Sequence, residues 1–237
     1  MTRRRWIADE VSNDRAALTG AHATHLSRTL RARVGQEFEV VCAGQVRHAT
    51  VASVSDERVE FALGEEITAS VAVPITLLMA VFKFDRMEWA IEKCTELNVT
   101  SILPVIARRT EKHLALSAAK RVERWRRIAR EASEQARRVS PPEIREPLKL
   151  PAALEVAADL RVVLSESEGE AQLSEILHAR QEAQSLALAI GPEGGWTVDE
   201  LQLFDTSGWI ASSLGGTILR AETAAIAALA VAQAEMS

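Results

Sequence analysis

Two glycine-rich turns near the carboxyl end constrain the fold of this chain most strongly. The first lies within Gly191–Glu200 (GPEGGWTVDE) and the second within Leu214–Ala224 (LGGTILRAETA). Each follows a short apolar stretch typical of a strand, 186–190 and 209–213, and each leads into a helical pattern. In open α/β sheets, ligands bind outside the carboxyl ends of the strands. The sequence therefore predicts an α/β enzyme whose pocket is walled largely by the backbone of both turns.

The first turn is predicted to bend sharply and then to begin a helix. Its three glycines surround Pro192 and allow close approach to the backbone. Thr197 and Glu200 have the spacing of a capping box, which starts a helix at that point. An ordinary strand-to-helix connection without a ligand is the alternative interpretation. The run matches neither G-x-G-x-x-G nor G-x-x-x-x-G-K-[ST], which argues against a dinucleotide or triphosphate site.

Motifs along nearly the whole chain resemble one family of RNA-modifying enzymes, the RsmE family. Besides the two turns, the resemblance rests on segments further upstream: 83–89 (KFDRMEW), 92–97 (EKCTEL), 108–110 (RRT), 124–125 (RW) and 131–135 (EASEQ), with weaker matches at 25–26 (HL) and 30–31 (LR). Two positions depart from the family pattern. Thr217 stands where the family usually has Arg, and Asn98 stands where it usually has Gly.

The resemblance implies a methyltransferase that uses S-adenosyl-L-methionine (SAM) and modifies N3 of a specific uridine in 16S ribosomal RNA of the small subunit. The RsmE family belongs to the SPOUT superfamily, whose carboxyl-terminal strands and helix form a trefoil knot. The implied domains are a PUA-like, RNA-binding β-barrel over 1–72 and a SPOUT α/β domain over 73–237 that binds SAM and dimerises. Because un-knotted connections are the rule in proteins, only the resemblance supports the knot.

The resemblance and the chemistry together assign roles to residues of both turns. The expected SAM contacts are Gly191, Pro192, Glu193, Gly194, Gly195, Leu214, Gly215, Ile218 and Leu219. Because SAM carries an activated methyl group, the protein has to align N3 and stabilise charge that spreads onto the base oxygens. Arg220 is the predicted catalytic residue for that charge, and a structural ion pair with Glu222 is the alternative. Glu222 is also a candidate general base, although a helix-start charge or a water molecule is equally compatible.

Charge is distributed unevenly in a chain whose net charge is −5. Residues 101–150 hold thirteen Lys and Arg against six Asp and Glu, whereas residues 151–237 hold three against thirteen. Local basic patches, not the average charge, attract phosphates. The predicted RNA contacts are Arg3, Arg4, Arg5, Arg108, Arg109, Arg126, Arg127 and Arg130. A solvated helix with i,i+4 pairs, such as Glu123 with Arg127, and an exposed amino-terminal tail are the alternatives.

The pattern of apolar residues changes near residue 72. Before it, period-two stretches predict strands of a small β-barrel at 37–42, 45–54 and 58–63, with one helix over 22–33. After it, strands and helices alternate: strands at 75–82, 101–106, 162–165 and 186–190, and helices at 87–97, 118–138 and 222–234. Asn98 falls where a left-handed helix cap needs Gly or Asn. This order predicts an α/β domain.

Composition narrows the class of protein further. A hydrophobic content of 47% without a long uncharged apolar run argues against a membrane helix, and no secretory signal is evident. The two cysteines, Cys42 and Cys94, indicate reduced thiols in a cytoplasmic protein. His22, His25 and His48 lack metal-ligand spacing, so no metal is expected.

The sequence alone leaves open two alternative functions and the oligomeric state. A non-catalytic RNA-binding protein of the same fold is favoured by Thr217, and a nucleotide-using metabolic enzyme by the glycine turns alone. The alanine-rich last helix permits close approach of a second copy, as a homodimer needs, but packing inside its own monomer fits equally well. The family resemblance favours the homodimer.

Overall fold

The computed structural model describes residues 5–67, 73–136, 138–166 and 171–236. These residues form two compact units, one within 1–71 and 133–141 and the other within 72–132 and 142–237. Arg3 and Arg4, two of the predicted RNA contacts, lie outside the described residues. Within the described residues, no helix is long and apolar enough to span a membrane.

The first unit is built on a six-stranded sheet in the order β1-β4-β5-β6-β3-β2. Its strands are β1 (Arg5–Ile7), β2 (Glu10–Ser12), β3 (Arg15–Thr19), β4 (Glu37–Cys42), β5 (Gln45–Val54) and β6 (Arg58–Ile67). β1 pairs with β4 in parallel, and all other pairs are antiparallel. The sheet curls into a half-barrel, and among the described strands no pairing joins β1 to β2. The sequence predicted a small β-barrel here; the described strands form a curled half-barrel sheet, and the finer barrel assignment stays a prediction.

The single helix predicted over 22–33 is two short pieces. They are α1 (Gly20–Thr24) and one π-helical turn (His25–Thr29). Arg31 follows with a φ of 51°, a left-handed conformation that cannot continue a right-handed helix. Ala23 and Leu26 are fully buried, and the sequence pattern did not indicate this early end.

The second unit contains a parallel sheet in the order β10-β8-β7-β12-β11-β13, with β9 also paired to β8. Its strands are β7 (Ile75–Ala80), β8 (Ser101–Ile106), β9 (Glu143–Ile144), β10 (Leu148–Lys149), β11 (Leu160–Leu164), β12 (Leu186–Ile190) and β13 (Ile210–Ser212). Its helices are α2 (Phe84–Glu96), α3 (Lys112–Ser117), α4 (Val122–Gln135), α5 (Leu150–Ala153), α6 (Leu173–His178), α7 (Val198–Thr206) and α8 (Ala221–Glu235).

Both faces of the parallel sheet are buried. Along β7, Ile75, Leu77 and Met79 enter one apolar core, and Leu78 and Ala80 enter the other. This explains why the strands read as continuous apolar runs rather than as alternating ones.

Two helix predictions can be compared directly with the structure. The inward face of α2 is confirmed, since its predicted members are buried or partly buried: Met87, Ala90, Ile91, Cys94 and Leu97. Asn98 has a φ of 61° and serves as the left-handed cap. The helix predicted over 118–138 instead begins with a 3₁₀ turn at Ala118–Arg121, and its α-helical part, α4, ends at Gln135.

Candidate active site

A cavity of about 670 Å³ lies at the carboxyl edge of the parallel sheet. β7 and β12 are neighbours in the sheet, but the chain leaves β7 towards β8 on one side and leaves β12 towards β13 on the other. Such a switch point opens a crevice in which α/β proteins bind ligands. All nine residues predicted to contact a cofactor line this cavity, and so does Arg220: Gly191, Pro192, Glu193, Gly194, Gly195, Leu214, Gly215, Ile218 and Leu219.

The first turn is stabilised by its own backbone and by the helix that follows it. The Gly195 amide donates to the Pro192 carbonyl over 2.8 Å, and Gly195 has a φ of 68°. The predicted capping box is formed: Thr197 Oγ1 accepts from the Glu200 amide, and Glu200 Oε2 accepts from the Thr197 amide at 2.9 Å. The turn therefore enters α7 in one defined direction.

Two residues of the loop after β8, Arg108 and Arg109, also hold the first turn. Arg109 Nη1 donates to the Gly194 carbonyl and, over 3.3 Å, to the Trp196 carbonyl. A Cβ atom on Gly194 would lie 3.2 Å from Arg109 Cδ, so the two residues are closely packed. The Arg108 amide donates over 2.8 Å to Glu200, whose side chain is buried. The Arg109 guanidinium, predicted from sequence to contact RNA, thus supports the cavity wall.

The second turn has few such supports. Ser213 Oγ exchanges hydrogen bonds of 3.1 Å with the amide and the carbonyl of Gly215, which has a φ of 121°. Apart from their own chain neighbours, no described residue has a heavy atom within 4 Å of the Cβ positions of Gly215 or Gly216. The Ile218 side chain is 81% exposed. This turn presents open backbone and an exposed apolar side chain to its surroundings.

The two predicted catalytic residues lie in different environments. Arg220 caps the amino end of α8, is exposed and lines the cavity; within the described part of the chain its side chain has no ion pair or hydrogen-bond partner. Glu222 is only 6% exposed, and its Oε1 lies 3.6 Å from Nη1 of Arg86. The alternative pair between Arg220 and Glu222 is therefore not formed.

Two of the remaining predicted RNA contacts, Arg5 and Arg126, already form hydrogen bonds and ion pairs within the protein. Arg5 donates through Nε and Nη2 to Glu39 at 3.1 and 2.9 Å. Arg126 contacts Glu123, Glu146 and the Ile144 carbonyl. Glu123 thus pairs with Arg126, at i,i+3, and not with Arg127 as the alternative interpretation expected.

Arg127 is the clearest free cation of this helix. It is exposed and has no side-chain partner in the described ranges, whereas Arg130, one turn later, is only partly exposed. Arg124, two residues before Arg126, was not among the predicted RNA contacts. It donates to both carboxylate oxygens of Glu88 at 2.7 and 2.8 Å. Arg127 is therefore the residue of α4 best placed to meet a phosphate without first breaking an ion pair.

Sequence reasoning did not assign three charged residues that line the cavity. Lys83 and Arg86 follow β7, and Glu166 follows β11. The rule that ligands bind at the carboxyl ends of strands would have selected all three. The first two also belong to the KFDRMEW segment, which was used for the family resemblance but not for the site.

The Cys94 thiol lies outside the cavity lining. Burial raises the pKa of the Cys94 thiol to about 12, so this thiol stays protonated at neutral pH and is not a nucleophile. Within the described residues, no group of three His, Cys, Asp or Glu side chains is arranged to hold a metal ion.

Comparison with known proteins identifies the class and then the family. Residues 69–233 match the family described as RNA methyltransferase domain, so the second unit is a domain of that class. The chain is 31% identical to the ribosomal RNA small subunit methyltransferase E of Synechocystis, over 94% of this chain and 74% of that protein. It is 30% identical to the Bacillus subtilis protein of the same name, over 90% and 87%. The chain belongs to the ribosomal RNA small subunit methyltransferase E family, which confirms the RsmE resemblance.

Solved structures give the same result. The methyltransferase E of Neisseria gonorrhoeae, bound to S-adenosyl methionine, superposes with a TM-score of 0.87 at 30% identity, covering 98% of each chain. A putative methyltransferase of Legionella pneumophila with bound SAM gives a TM-score of 0.85 at 28% identity, covering 99% of this chain and 98% of that one. The chain thus has a mixed α/β, SPOUT-like methyltransferase fold.

Proposed function

We propose that this protein transfers a methyl group from SAM to N3 of a specific uridine in 16S ribosomal RNA of the small subunit. Its family membership supports this function, since its relatives are named small-subunit rRNA methyltransferases. The observation that carries the proposal is the cavity at the switch point of the sheet, which both glycine turns line together.

The residues around the cavity fit SAM in size and charge. A volume of about 670 Å³ lies within the range of roughly 300–1,000 Å³ that is usual for ligand pockets. SAM combines a positively charged sulfonium and an ammonium with a carboxylate, and the lining offers carboxylates, Glu166 and Glu193, beside the cations Lys83 and Arg86. The exposed backbone of both turns supplies donors and acceptors for the adenosine part. When bound there, SAM supplies the activated methyl group.

The chain's own task is to orient the uracil and to stabilise its negative charge. N3 of uridine is a poor nucleophile until its proton leaves, and the charge then spreads onto the base oxygens. Arg220 is proposed to meet this charge, because its guanidinium lines the cavity and is paired with no carboxylate of the residues that the structure describes. A general base needs to lie within hydrogen-bond reach of the proton. For the buried Glu222 that role stays a prediction.

The finer features of the fold are part of the same proposal. We take the curled sheet of the first unit as a PUA-like RNA-binding module and the carboxyl-terminal strands and helix as the SPOUT trefoil knot. The boundary predicted at residues 72–73 separates these roles. A cytoplasmic homodimer is the expected assembly, although the small residues of α8 are used within the unit: Ala225, Ala228 and Ala232 are buried, and α8 packs on α2 and α6.

Methyl transfer to ribosomal RNA tests the function directly. Primer-extension stops should be mapped on 16S rRNA from cells with and without the gene, because a methyl group on N3 blocks base pairing. We expect one primer-extension stop at a uridine in cells that carry the gene. The stop should be absent from cells without the gene and should return when their RNA is treated with purified protein and SAM. SAM binding without any transfer would favour the non-catalytic RNA-binding alternative. Tight binding of NAD or ATP, with none of SAM, would favour the metabolic enzyme.

A further inference from the structure

Arg86 contacts a carboxylate from each of the two segments that line the cavity. It lies in the first turn of α2, directly after β7. Its Nη1 is 3.4 Å from Oε1 of Glu193, which belongs to the first glycine turn. The same nitrogen is 3.6 Å from Oε1 of Glu222, two residues beyond Arg220 at the end of the second turn. One guanidinium group thus links the first turn to the start of α8, which directly follows the second turn.

The link to Glu222 is the more demanding one. Glu222 is 6% exposed, and its Oε2 has no hydrogen-bond donor among the described residues. The amino end of α8 stabilises this carboxylate through the helix dipole, but Arg86 is the cation paired with it. A buried carboxylate that loses its cation is strongly destabilised, because water cannot replace the missing partner.

The link to Glu193 is shared with a second cation. Lys83 Nζ lies 3.8 Å from Glu193 Oε2, and Glu193 is partly exposed. If Arg86 were absent, Glu193 would keep Lys83 and contact with solvent, whereas Glu222 would keep neither a cation nor full solvation. Glu222 therefore depends on Arg86 more strongly than Glu193 does, although the guanidinium contacts both carboxylates.

We propose that Arg86 is a positioning residue that sets the separation of the two glycine turns and so preforms the cofactor cavity. The identity of the ligand rests on the proposed function, whereas the bracing of the turns does not. Arg86 acts through the two carboxylates, Glu193 and Glu222, and the turns that carry them. Lys cannot replace it fully, because an ammonium lacks the planar guanidinium with its several N–H groups.

Hydrogen exchange in the protein without ligand tests the bracing. The informative amides are Gly195, bonded to the Pro192 carbonyl, and Gly215, bonded to Ser213 Oγ. Arg86→Ala should speed exchange by roughly tenfold at Gly215 and by a smaller factor at Gly195, because Glu193 keeps Lys83; Arg86→Lys should give intermediate rates. The control is Lys93→Ala, which removes a cation that also contacts two carboxylates of α2, Glu92 and Glu96, away from the cavity. It should leave both amides unchanged.

A calorimetric titration with SAM completes the test. Arg86→Ala should weaken SAM binding by about tenfold or more, and Lys93→Ala should not. The proposal is overturned if the Gly195 and Gly215 amides exchange at the same rates in Arg86→Ala as in Lys93→Ala. It is also overturned if Arg86→Ala speeds exchange at only one of these two amides. If the parent protein binds no SAM, the proposed function fails, and the exchange rates still decide the role of Arg86. Should Arg86→Ala not fold, Glu222→Gln replaces it, with faster exchange expected at Gly215 and not at Gly195.

Discussion

The two glycine turns look alike in sequence but differ in how firmly the protein holds them. The first is fixed by Arg109, by the Thr197–Glu200 capping box and by the cations on Glu193. Among the described residues, the second has one serine hydroxyl on its backbone, a single cation on the buried Glu222 just beyond it, and an exposed Ile218. Both line the same cavity. A shared glycine pattern therefore indicates where a ligand approaches but not whether the wall is already in its final shape.

The difference suggests a division of labour between the turns. A firmly held wall loses little conformational entropy when a ligand binds, which favours affinity. A loosely held segment can adjust to a large substrate, at the cost of ordering it on binding. We therefore expect changes in the first turn to act on SAM affinity, and changes at the end of the second turn to act on methyl transfer.

The largest effect is expected at Arg220. Arg220→Ala should lower the single-turnover rate of methyl transfer by roughly a hundredfold to a thousandfold, because one well-placed electrostatic donor is lost. SAM affinity should change little. Arg180→Ala is the matched control, since Arg180 is also exposed and unpaired in the described residues but lies outside the cavity lining. A parent rate in folded Arg220→Ala would remove Arg220 from the mechanism.

A glycine in each turn sharpens the comparison. Gly194→Val should weaken SAM binding by roughly tenfold or more, because its new side chain meets Arg109, 3.2 Å from the Cβ position. Gly216→Val has open space around it and should have a much smaller effect. Calorimetry on both folded variants measures the contrast. Equal losses of affinity would mean that a side chain at Gly216, which also lines the cavity, obstructs the ligand as much as one at Gly194.

Substitution of Arg109 and of Arg127 tests separately which residue supports the cavity and which binds RNA. Arg109→Ala should weaken SAM binding severalfold, since the turn loses donors to two carbonyls, and should leave the salt dependence of RNA binding nearly unchanged. Arg127→Ala should do the reverse and lower the salt slope by about 1, because one phosphate contact is lost. Arg126→Ala, whose cation is already paired, should alter the slope less. A larger change in slope for Arg109→Ala than for Arg127→Ala would restore the sequence-based role of Arg109.

The smallest expected effect concerns the helices that follow the turns. Thr197→Ala removes a side-chain cap and should lower the free energy of unfolding by about 1 kcal/mol. For a chain of this size that corresponds to a decrease in Tm of roughly 2–4 °C. Arg220→Ala should leave Tm nearly unchanged, because Arg220 makes no side-chain cap hydrogen bond at the start of α8. Thermal unfolding of both variants would contradict this if their Tm values fell equally.

Local patterns predicted local structure well. The bounds of β4, β5, β8 and β12 agree with the predicted strands, and the capping box and the left-handed Asn98 follow from short-range chemistry. The early end of the helix predicted over 22–33 could not be predicted from the local pattern, because Arg31 adopts a left-handed conformation that its residue type disfavours.

The parts of the site that could not be predicted depend on contacts between distant residues. Arg109 reaches a carbonyl 85 residues further along the chain, and Arg86 reaches a carboxylate 107 residues away. Neither partner is visible in a local pattern. The sequence therefore indicated which turns form the cavity and which arginines exist, but not which arginines are already occupied.

The long-range hold on the first turn also has a consequence for biosynthesis. Arg86 and Arg109 are translated well before the segment that they brace, so the cavity wall cannot assemble until residues 191–196 have emerged. Contacts of such sequence separation form late in folding, after the cost of closing the intervening loop has been met. A nascent chain interrupted between 110 and 190 would therefore carry bracing arginines with no turn to brace, and a short peptide copied from the first turn would not reproduce the site.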